Sequence, residues 1–305
     1  MHHPPCRGIE CAVEVMRVKY AIVGGDARLA RLCEALNEDG HRVRCFALEK
    51  AELTGDIVKT GCLQGCVYGA DCVILPIPAE NAGVLNTPLS DNILRMSDVV
   101  GALWQGQVLI GGRFGDNSCA LAQKSGVHIE DLMQRAEFVM GNAALTAECA
   151  LARMMQESDR ALMMSTVLVC GWGRIGKVLA LRLAALGADV TVAARARADR
   201  AEARALGIRT VGYKVLEAEI GGFDFIVNTV PARVLTDAML CMAADGAVIM
   251  ELASPPGGFD RALAENIGLH VVHAPGLPGV LAARSAAALI KENIYDVMRE
   301  LEERE

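Results

Sequence analysis

Short apolar segments alternate with amphipathic, helix-like segments along most of this chain. In the first half, the pattern predicts strands over 18–23, 43–47, 72–75 and 108–110, and helices over 27–37, 92–100 and 119–125. In the second half, it predicts a helix over 177–186 and strands over 167–170, 188–194, 208–211, 225–228, 247–252 and 270–272. Strands that alternate with helices form parallel sheets with helices on both faces. We therefore predict an α/β fold with two doubly wound domains.

Two longer helical stretches divide the chain, one over 143–157 and the other over 282–301. They predict an interdomain cleft crossed by the chain near each stretch. The expected segments are a disordered extension over residues 1–15, an N-terminal α/β domain on the substrate side over 16–143, a linking helix over 144–160, a nucleotide-binding domain over 161–281 and a C-terminal helix over 282–305.

Composition narrows the possible functions. The 305 residues are 52% apolar but only 4% aromatic, which is typical of aliphatic parallel strands packed closely against helices. A net charge of −7 without a basic stripe argues against nucleic-acid binding, and no apolar run is long enough to span a membrane. Eleven cysteines, with neither a secretory signal nor metal-ligand spacing, indicate a reducing cytoplasm and no metal site.

A glycine-rich turn follows the strand predicted over 167–170. Gly171 would make the tight turn, Gly173 would let backbone approach a pyrophosphate, and Gly176 would let the next helix pack closely on the strand. The start of that helix offers free N–H groups and a positive dipole end to phosphates. This strand, turn, helix and strand context predicts a Rossmann-type dinucleotide site.

The end of the following strand indicates which nicotinamide cofactor binds. NAD sites place an acid there for the ribose 2′-OH, but this segment reads Val192-Ala-Ala-Arg-Ala-Arg197. Arg195, with Arg197 beside it, would instead meet a 2′-phosphate with a planar guanidinium. We therefore predict NADP, with a solvated loop arginine as the alternative. The other expected cofactor contacts are Arg174, Ile175, Thr229, Val230 and Pro231.

Six predicted strand-end loops are rich in glycine, proline and polar residues. They cover residues 24–28, 76–78, 111–113, 228–231, 252–258 and 273–279. Ligands of open α/β sheets lie beyond the carboxyl ends of the strands, so these loops predict a site for a small polar substrate. Glycine and proline also punctuate ordinary connections, which is the alternative interpretation.

Several of these segments together resemble the family of the dipicolinate synthase A subunit. The matching segments are Ile22–Arg28, Ala144–Ala150, Gly171–Gly176, Asn228–Pro231, Leu252–Gly258 and Ala274–Gly279. They occur in order over nearly the whole chain. Many enzyme families share the glycine fingerprint, whereas the GGDAR and APGLPG segments are far more specific. The two-domain layout also resembles that of 2-hydroxyacid dehydrogenases.

This resemblance implies a function. The family makes dipicolinate, the calcium-chelating dicarboxylate of bacterial spores, from a cyclic intermediate of the lysine (diaminopimelate) pathway. The implied reaction is oxidation of a dihydro- or hydroxytetrahydro-dipicolinate by NADP at a CH–CH bond, in the mother-cell cytoplasm during sporulation. The resemblance also implies a flavoprotein-like partner, the B subunit of the same enzyme. The sequence leaves a homo-oligomer open.

A substrate with two carboxylates would need local cations in this acidic protein. Arg28 and Arg113 are the candidates, because a guanidinium and a carboxylate form a fork of hydrogen bonds. The other candidate substrate contacts are Gly25, Thr146, Ser254, Gly257, Gly258, Gly276 and Gly279. Asp26 and Glu148 are candidate bases. Glu148 could instead be an ordinary charge on the linking helix.

Two other functions remain open. The first is an NADP-dependent 2-hydroxyacid dehydrogenase, whose Arg, Glu and His set is loosely imitated by Arg233, Glu251 and His273. The second is a non-catalytic NADP-binding scaffold whose flavoprotein partner does the chemistry.

Overall fold

The computed structural model describes residues 17–304, so the extension expected over 1–15 lies outside the described residues. Within residues 17–304, no helix has both the length and the apolar character needed to cross a membrane.

The first half of the chain forms a six-stranded parallel sheet. Its strands are β1 (Lys19–Val23), β2 (Arg42–Phe46), β3 (Ile57–Lys59), β4 (Cys72–Ile74), β7 (Val108–Gly111) and β8 (His128–Asp131), in the spatial order β3-β2-β1-β4-β7-β8. A small antiparallel hairpin lies between β4 and β7 and consists of β5 (Glu80–Asn81) and β6 (Val84–Leu85). The helices of this half are α1 (Ala27–Glu38), α2 (Leu63–Val67), α3 (Met96–Gly101) and α4 (Asp116–Lys124), followed by a 3₁₀ turn over Leu132–Gln134.

The second half repeats this arrangement. Its strands are β9 (Thr166–Cys170), β10 (Asp189–Ala193), β11 (Arg209–Val211), β12 (Phe225–Asn228), β13 (Val248–Glu251) and β14 (His270–His273), in the spatial order β11-β10-β9-β12-β13-β14. Its helices are α6 (Arg174–Ala185), α7 (Arg197–Ala205), α8 (Tyr213–Glu219), α9 (Asp237–Met242), α10 (Arg261–Asn266) and α11 (Leu277–Leu281), with 3₁₀ turns over Leu162–Met164 and Ile220–Gly222. Both sheets have the strand order of dinucleotide-binding folds. The predicted α/β fold with two Rossmann-like sheets is thus confirmed.

Two long helices connect the halves, α5 (Ala136–Gln156) and α12 (Ala283–Glu302). The N-terminal end of α5 contributes Phe138 to the first core, while Ala150 and Met154 farther along belong to the core around β9. The chain-terminal helix α12 returns to the first half, where Ile290 and Ile294 are buried against α1. Helix α5 therefore contributes to the cores of both halves, and α12 contributes to the core of the first half.

The structure corrects three local predictions. Helix α3 begins at Met96 rather than residue 92, because residues 92–95 run beside the hairpin and the Leu94 carbonyl accepts the Leu85 N–H at 2.8 Å. Helix α5 begins at Ala136 and runs through the expected domain boundary at 143. The edge strands β3 and β8 were not predicted, because both are short and partly polar.

Candidate active site

The glycine turn after β9 has no room for side chains at two positions. A Cβ on Gly171, where φ is 103°, would lie 2.7 Å from Thr229 Oγ1. A Cβ on Gly176 would lie 2.3 Å from the Gly171 carbonyl oxygen. Gly173 differs, because a Cβ there would meet no described protein atom within 4 Å. The first two glycines serve packing within the protein, whereas Gly173 leaves open space where the start of α6 faces solvent.

A cavity of about 500 Å³ opens from this turn. It is lined by Gly171, Trp172, Gly173, Ala194, Arg195, Ala196, Asp199, Tyr213, Thr229, Val230, Pro231, Ala232, Arg233 and Val234. Its position at the carboxyl ends of β9, β10 and β12, beside the uncapped start of α6, fits a dinucleotide. Burial raises the pKa of Tyr213, whose neutral hydroxyl donates to the Ala193 carbonyl at 3.2 Å.

The end of β10 carries charges of both signs. Arg195, for which the sequence predicts contact with a ribose 2′-phosphate, is exposed and lines the cavity. Asp199, an acid for which the sequence pattern predicts no role, lines the same cavity in a half-buried position. Arg197 begins α7 in an exposed position and is not part of the cavity wall.

A second cavity, of about 330 Å³, lies between the two halves and is called the cleft below. Its walls come from the β7 loop, α5, the start of α6 and the loops after β12 and β13. They consist of Arg113, Met133, Val139, Asn142, Ala143, Gly173, Arg174, Ile175, Thr229, Pro231, Leu252, Ala253 and Ser254. The cleft therefore brings together seven residues predicted from the sequence: Arg113, Gly173, Arg174, Ile175, Thr229, Pro231 and Ser254.

Asp131 positions the loop that carries Arg113. Its carboxylate accepts the Arg113 N–H at 2.9 Å and the Phe114 N–H at 3.2 Å. These bonds stabilise a left-handed backbone at Arg113, where φ is 58°, a conformation that costs energy for a residue with a Cβ. The Arg113 side chain forms no ion pair within residues 17–304, so its guanidinium is available to a ligand.

Asn142 is a cleft residue that no sequence pattern predicts. It lies on α5 one residue before Ala143, and its side-chain amide makes no hydrogen bond to any other described residue. A single asparagine on a predicted helix carries no motif, so only the packing of α5 against α6 reveals that it faces the cleft.

The predicted role of Arg28 in substrate binding is corrected by its surroundings. Its guanidinium is largely buried, and Nε and Nη2 donate to the Asp26 carboxylate at 3.0 and 2.8 Å. The same Nη2 donates to the Ile77 carbonyl at 2.6 Å. Asp26 also caps α1 by accepting the Arg28 N–H. The two side chains satisfy each other in a junction, so neither the carboxylate fork nor the base at Asp26 is supported.

Three of the predicted substrate-binding glycines have structural roles at this junction or in the turns beside it. Gly279 lies against it so closely that a Cβ would be 3.0 Å from Asp26 Oδ2. Gly25 forms the turn before α1, with φ at 106° and its N–H bonded to the Asn86 carbonyl. Gly276, with φ at 64°, caps α11. The GGDAR and APGLPG segments therefore meet each other across the two halves.

The expected carboxylate site at Gly257 and Gly258 is also corrected. The Gly258 N–H donates to Glu251 Oε2 at 2.6 Å, and the Gly257 N–H donates to the Ser254 carbonyl at 3.1 Å. Glu251 is 5% exposed and needs these donors, because a buried carboxylate without hydrogen bonds is unstable. Its other donors are Asn228 Nδ2 at 2.7 Å and the Ala253 N–H at 2.9 Å.

Two predicted residues on α5 do not line the cleft. Glu148 is exposed by 74% and pairs with Arg182 of α6 at 3.6 Å, which agrees with the alternative of an ordinary surface charge. The Thr146 hydroxyl donates to the Asn142 carbonyl one turn earlier at 2.7 Å, so it is already satisfied within the helix.

Two family models and one relative match the sequence of this chain. Residues 19–133 match the family model of the N-terminal domain of the dipicolinate synthase A subunit. Residues 152–245 match that of the D-isomer specific 2-hydroxyacid dehydrogenase NAD binding domain. The A subunit of dipicolinate synthase from Bacillus subtilis (strain 168) is 28% identical over 295 residues, which cover 94% of this chain and 98% of that protein.

Two solved structures resemble the whole chain. The dipicolinate synthase A chain from Bacillus subtilis has a TM-score of 0.79 at 27% identity, with 94% of this chain and 98% of that chain covered. The A subunit of dipicolinate synthase from Bacillus halodurans has a TM-score of 0.78 at 26% identity, with 92% and 97% covered. The chain is therefore a homologue of the dipicolinate synthase A subunit over nearly its whole length, with a dehydrogenase-type domain that binds a nicotinamide cofactor.

Proposed function

We propose that this chain oxidises a dihydrodipicolinate to dipicolinate in the cleft, with NADP as the oxidant that takes up a hydride while the ring releases a proton. A hydroxytetrahydro-dipicolinate would first lose one water to give the dihydro form. The observation that carries the proposal is the Arg113 guanidinium, which has no ion-pair partner within residues 17–304 and lies across the cleft from the start of α6 and the loop after β12. A substrate carboxylate is its natural partner, because guanidinium and carboxylate form two parallel charge-assisted hydrogen bonds.

The remaining walls suit a flat ring. Val139, Ala143 and Leu252 supply apolar surface, while the Asn142 amide and the Ser254 hydroxyl supply hydrogen bonds to polar ring substituents. When bound, the nicotinamide would accept a hydride from a ring carbon. The chain's contribution is then to orient the ring against the nicotinamide, which is an effective catalytic strategy when aromatisation supplies the driving force.

The residue types that line the cleft also indicate which group accepts the ring proton. No Asp, Glu or His residue lines it among the residues that the structure describes. We propose that the proton leaves to solvent rather than to a carboxylate of the chain. In that case, the pH dependence of kcat should lack the ionisation of a protein carboxylate near its reference pKa of about 4.

The proposal that this chain prefers NADP to NAD rests on Arg195. Changing Arg195 to Asp should weaken NADP binding at least about tenfold relative to NAD, equivalent to ~1.4 kcal/mol. Arg204→Asp, at the far exposed end of α7, removes the same charge and is the control. Equal NADP affinity in the Arg195 variant and the wild type would contradict the role of Arg195 in the choice of cofactor.

The decisive assay is turnover of the lysine-pathway intermediate by the isolated chain, with and without a flavoprotein B subunit. We propose the B subunit of dipicolinate synthase as a partner on the names of the homologues alone. The mother-cell cytoplasm as the compartment is proposed only on the family resemblance of the sequence. Turnover without the partner would support a catalytic chain. Turnover only in its presence would favour the scaffold alternative.

The 2-hydroxyacid dehydrogenase alternative is less well supported. Arg233 pairs with Asp237, Glu251 is enclosed by its three donors, and His273 lines a different cavity behind the β13 loop. None of the three is among the described residues that line the cleft. Turnover of glyoxylate or hydroxypyruvate with NADPH would contradict this argument.

A further inference from the structure

A further large cavity lies outside the cleft, within the first half of the chain. It measures about 840 Å³ and is enclosed by the β5–β6 hairpin and by the starts of α3 and α4. We call it the outer chamber. Arg113 lines both the outer chamber and the cleft, so the two cavities are neighbours that share this residue.

Two arginines in the outer chamber are unpaired in the described part of the chain. Neither Arg95 nor Arg113 forms an ion pair or a side-chain hydrogen bond within residues 17–304, and both are exposed. The chamber also contains Glu80 and Asp116, yet neither carboxylate pairs with either arginine. Glu80 Oε1 instead accepts the Gly115 N–H at 2.8 Å, and Asp116 lies in the first turn of α4, where the helix dipole stabilises a negative charge.

A third polar group without a partner among the described residues lies at the chamber wall. Ser118 is only 5% exposed, and its hydroxyl makes no hydrogen bond to the side chain or backbone of another described residue. The hydroxyl is not among the fully buried polar atoms that lack a partner, so it keeps some exposed surface, through which a ligand in the chamber could bond it. This hydroxyl lies in the first turn of α4, which has no side-chain cap at Gly115.

We propose, building on the proposed function, that the outer chamber is a second binding site for a small dicarboxylate, which Arg113 shares with the cleft. One carboxylate would be held by Arg95 and the Ser118 hydroxyl, and the other would reach Arg113. The chamber volume lies within the range of small-molecule sites, about 300–1,000 Å³. A dicarboxylate bound here would be one guanidinium away from the cleft, so the chamber would serve as the site that substrate occupies before the cleft or that product occupies after it.

The test is equilibrium binding of pyridine-2,6-dicarboxylate to the full chain without cofactor, measured by titration calorimetry at low salt. We expect Arg95→Ala to weaken binding to the chamber at least about fivefold, because one charge-assisted contact is lost. Arg95→Lys should restore part of the affinity. Arg42→Ala removes an exposed arginine from β2 of the same sheet and should change the affinity less than about twofold.

A second variant separates this proposal from the proposed function. Ser254 lines the cleft but not the chamber, so Ser254→Ala alters the cleft alone. If Arg95→Ala weakens binding of the probe and Ser254→Ala does not, the probe is bound in the chamber. That result would stand even if the chain failed to oxidise any ring dicarboxylate. Equal affinity of wild type and Arg95→Ala, or no binding of the probe to the wild type, would overturn the chamber whether or not the enzyme turns over. Unchanged melting temperatures would show that the variants are folded.

Discussion

Alanine substitutions at Gly173 and Gly176 test two separate roles of the glycine turn after β9: close approach of the cofactor at Gly173 and packing of α6 at Gly176. At Gly176, the new Cβ would lie 2.3 Å from the Gly171 carbonyl oxygen and 3.1 Å from its carbon. Both are backbone atoms, so the helix must move by roughly 1 Å to reach ordinary contact distance. Overpacking of this kind costs about 1–3 kcal/mol.

Other contributions reduce that cost at Gly176 and nearly cancel at Gly173. Because the clash at Gly176 is with backbone atoms, which cannot rotate away, its cost lies in the upper half of that range, about 2–3 kcal/mol. Alanine favours a helical position over glycine by about 1 kcal/mol, which leaves a net loss of about 1–2 kcal/mol for Gly176→Ala. Gly173 is the N-cap of α6, and its φ of −79° suits alanine. There, alanine is a poorer cap by roughly 0.5 kcal/mol, but it lowers the entropy of the unfolded chain by a similar amount.

Urea unfolding without cofactor should therefore show a less stable Gly176→Ala and a Gly173→Ala within about 0.5 kcal/mol of the wild type. In titrations with NADP, the affinity should fall more in Gly173→Ala than in Gly176→Ala. Gly173→Ala should lose at least about tenfold in affinity, since its Cβ occupies the space kept for the pyrophosphate. Wild-type NADP affinity in Gly173→Ala would refute the close-approach role, and wild-type stability in Gly176→Ala would refute the packing role.

Three further predictions concern stability and the loops around the cleft. Glu251→Gln should lower the free energy of unfolding by about 1–3 kcal/mol and reduce kcat/KM, since a side-chain amide would face backbone N–H donors. Glu265→Gln, at an exposed position, is the control. An unchanged free energy of unfolding and unchanged kcat/KM in Glu251→Gln would contradict the role of Glu251. Ile294→Ala in α12, at 0% exposure, should cost about 2–5 kcal/mol, and loss of protection from hydrogen exchange in β1 would locate the effect in the first core. Burial lowers the pKa of His41 in the folded protein, where Nδ1 accepts the Val18 N–H at 3.3 Å. The stability that neutral His41 gives the fold is therefore complete above the pKa of the unfolded state, about 6.5. It is lost as the pH falls through the lower pKa of the folded state. The urea midpoint should thus decrease less between about pH 7 and pH 5 in His41→Gln than in the wild type, and equal decreases would contradict this assignment.

The cofactor site could be predicted because its signal is local. Strand, turn and helix are contiguous from β9 to α6, so the spacing of Gly171, Gly173 and Gly176 already specifies the backbone that they form. The cleft could be predicted only in part. Arg113 and Ser254 follow strand ends, which must meet at one edge of a parallel sheet, but Asn142 reaches the cleft through helix packing that no local pattern encodes.

The error at Arg28 has a specific physical cause. A glycine turn followed by an arginine indicates an anion-binding site only if no acid of the chain takes the guanidinium first. Asp26 lies two residues earlier and does so. The start of α5 was missed for a related reason, since Gly141 weakens the local helical pattern. A Cβ there would lie 2.6 Å from Leu289 Cδ1 of α12, so the glycine lets this leucine side chain pack directly on α5.

The two specific sequence segments, GGDAR and APGLPG, act on the cleft through the orientation of the two halves. Gly279 closes against the Asp26–Arg28 pair on one side, and α5 packs against α6 on the other. Any change in the angle between the sheets must disturb one of these contacts, and both involve buried groups. Arg28 is thus placed to set the distance between Arg113 and the start of α6 without touching a ligand. Its replacement should therefore lower the stability and kcat together rather than raise KM alone, because misplacing a reacting ring by about 1 Å can cost a hundredfold in rate.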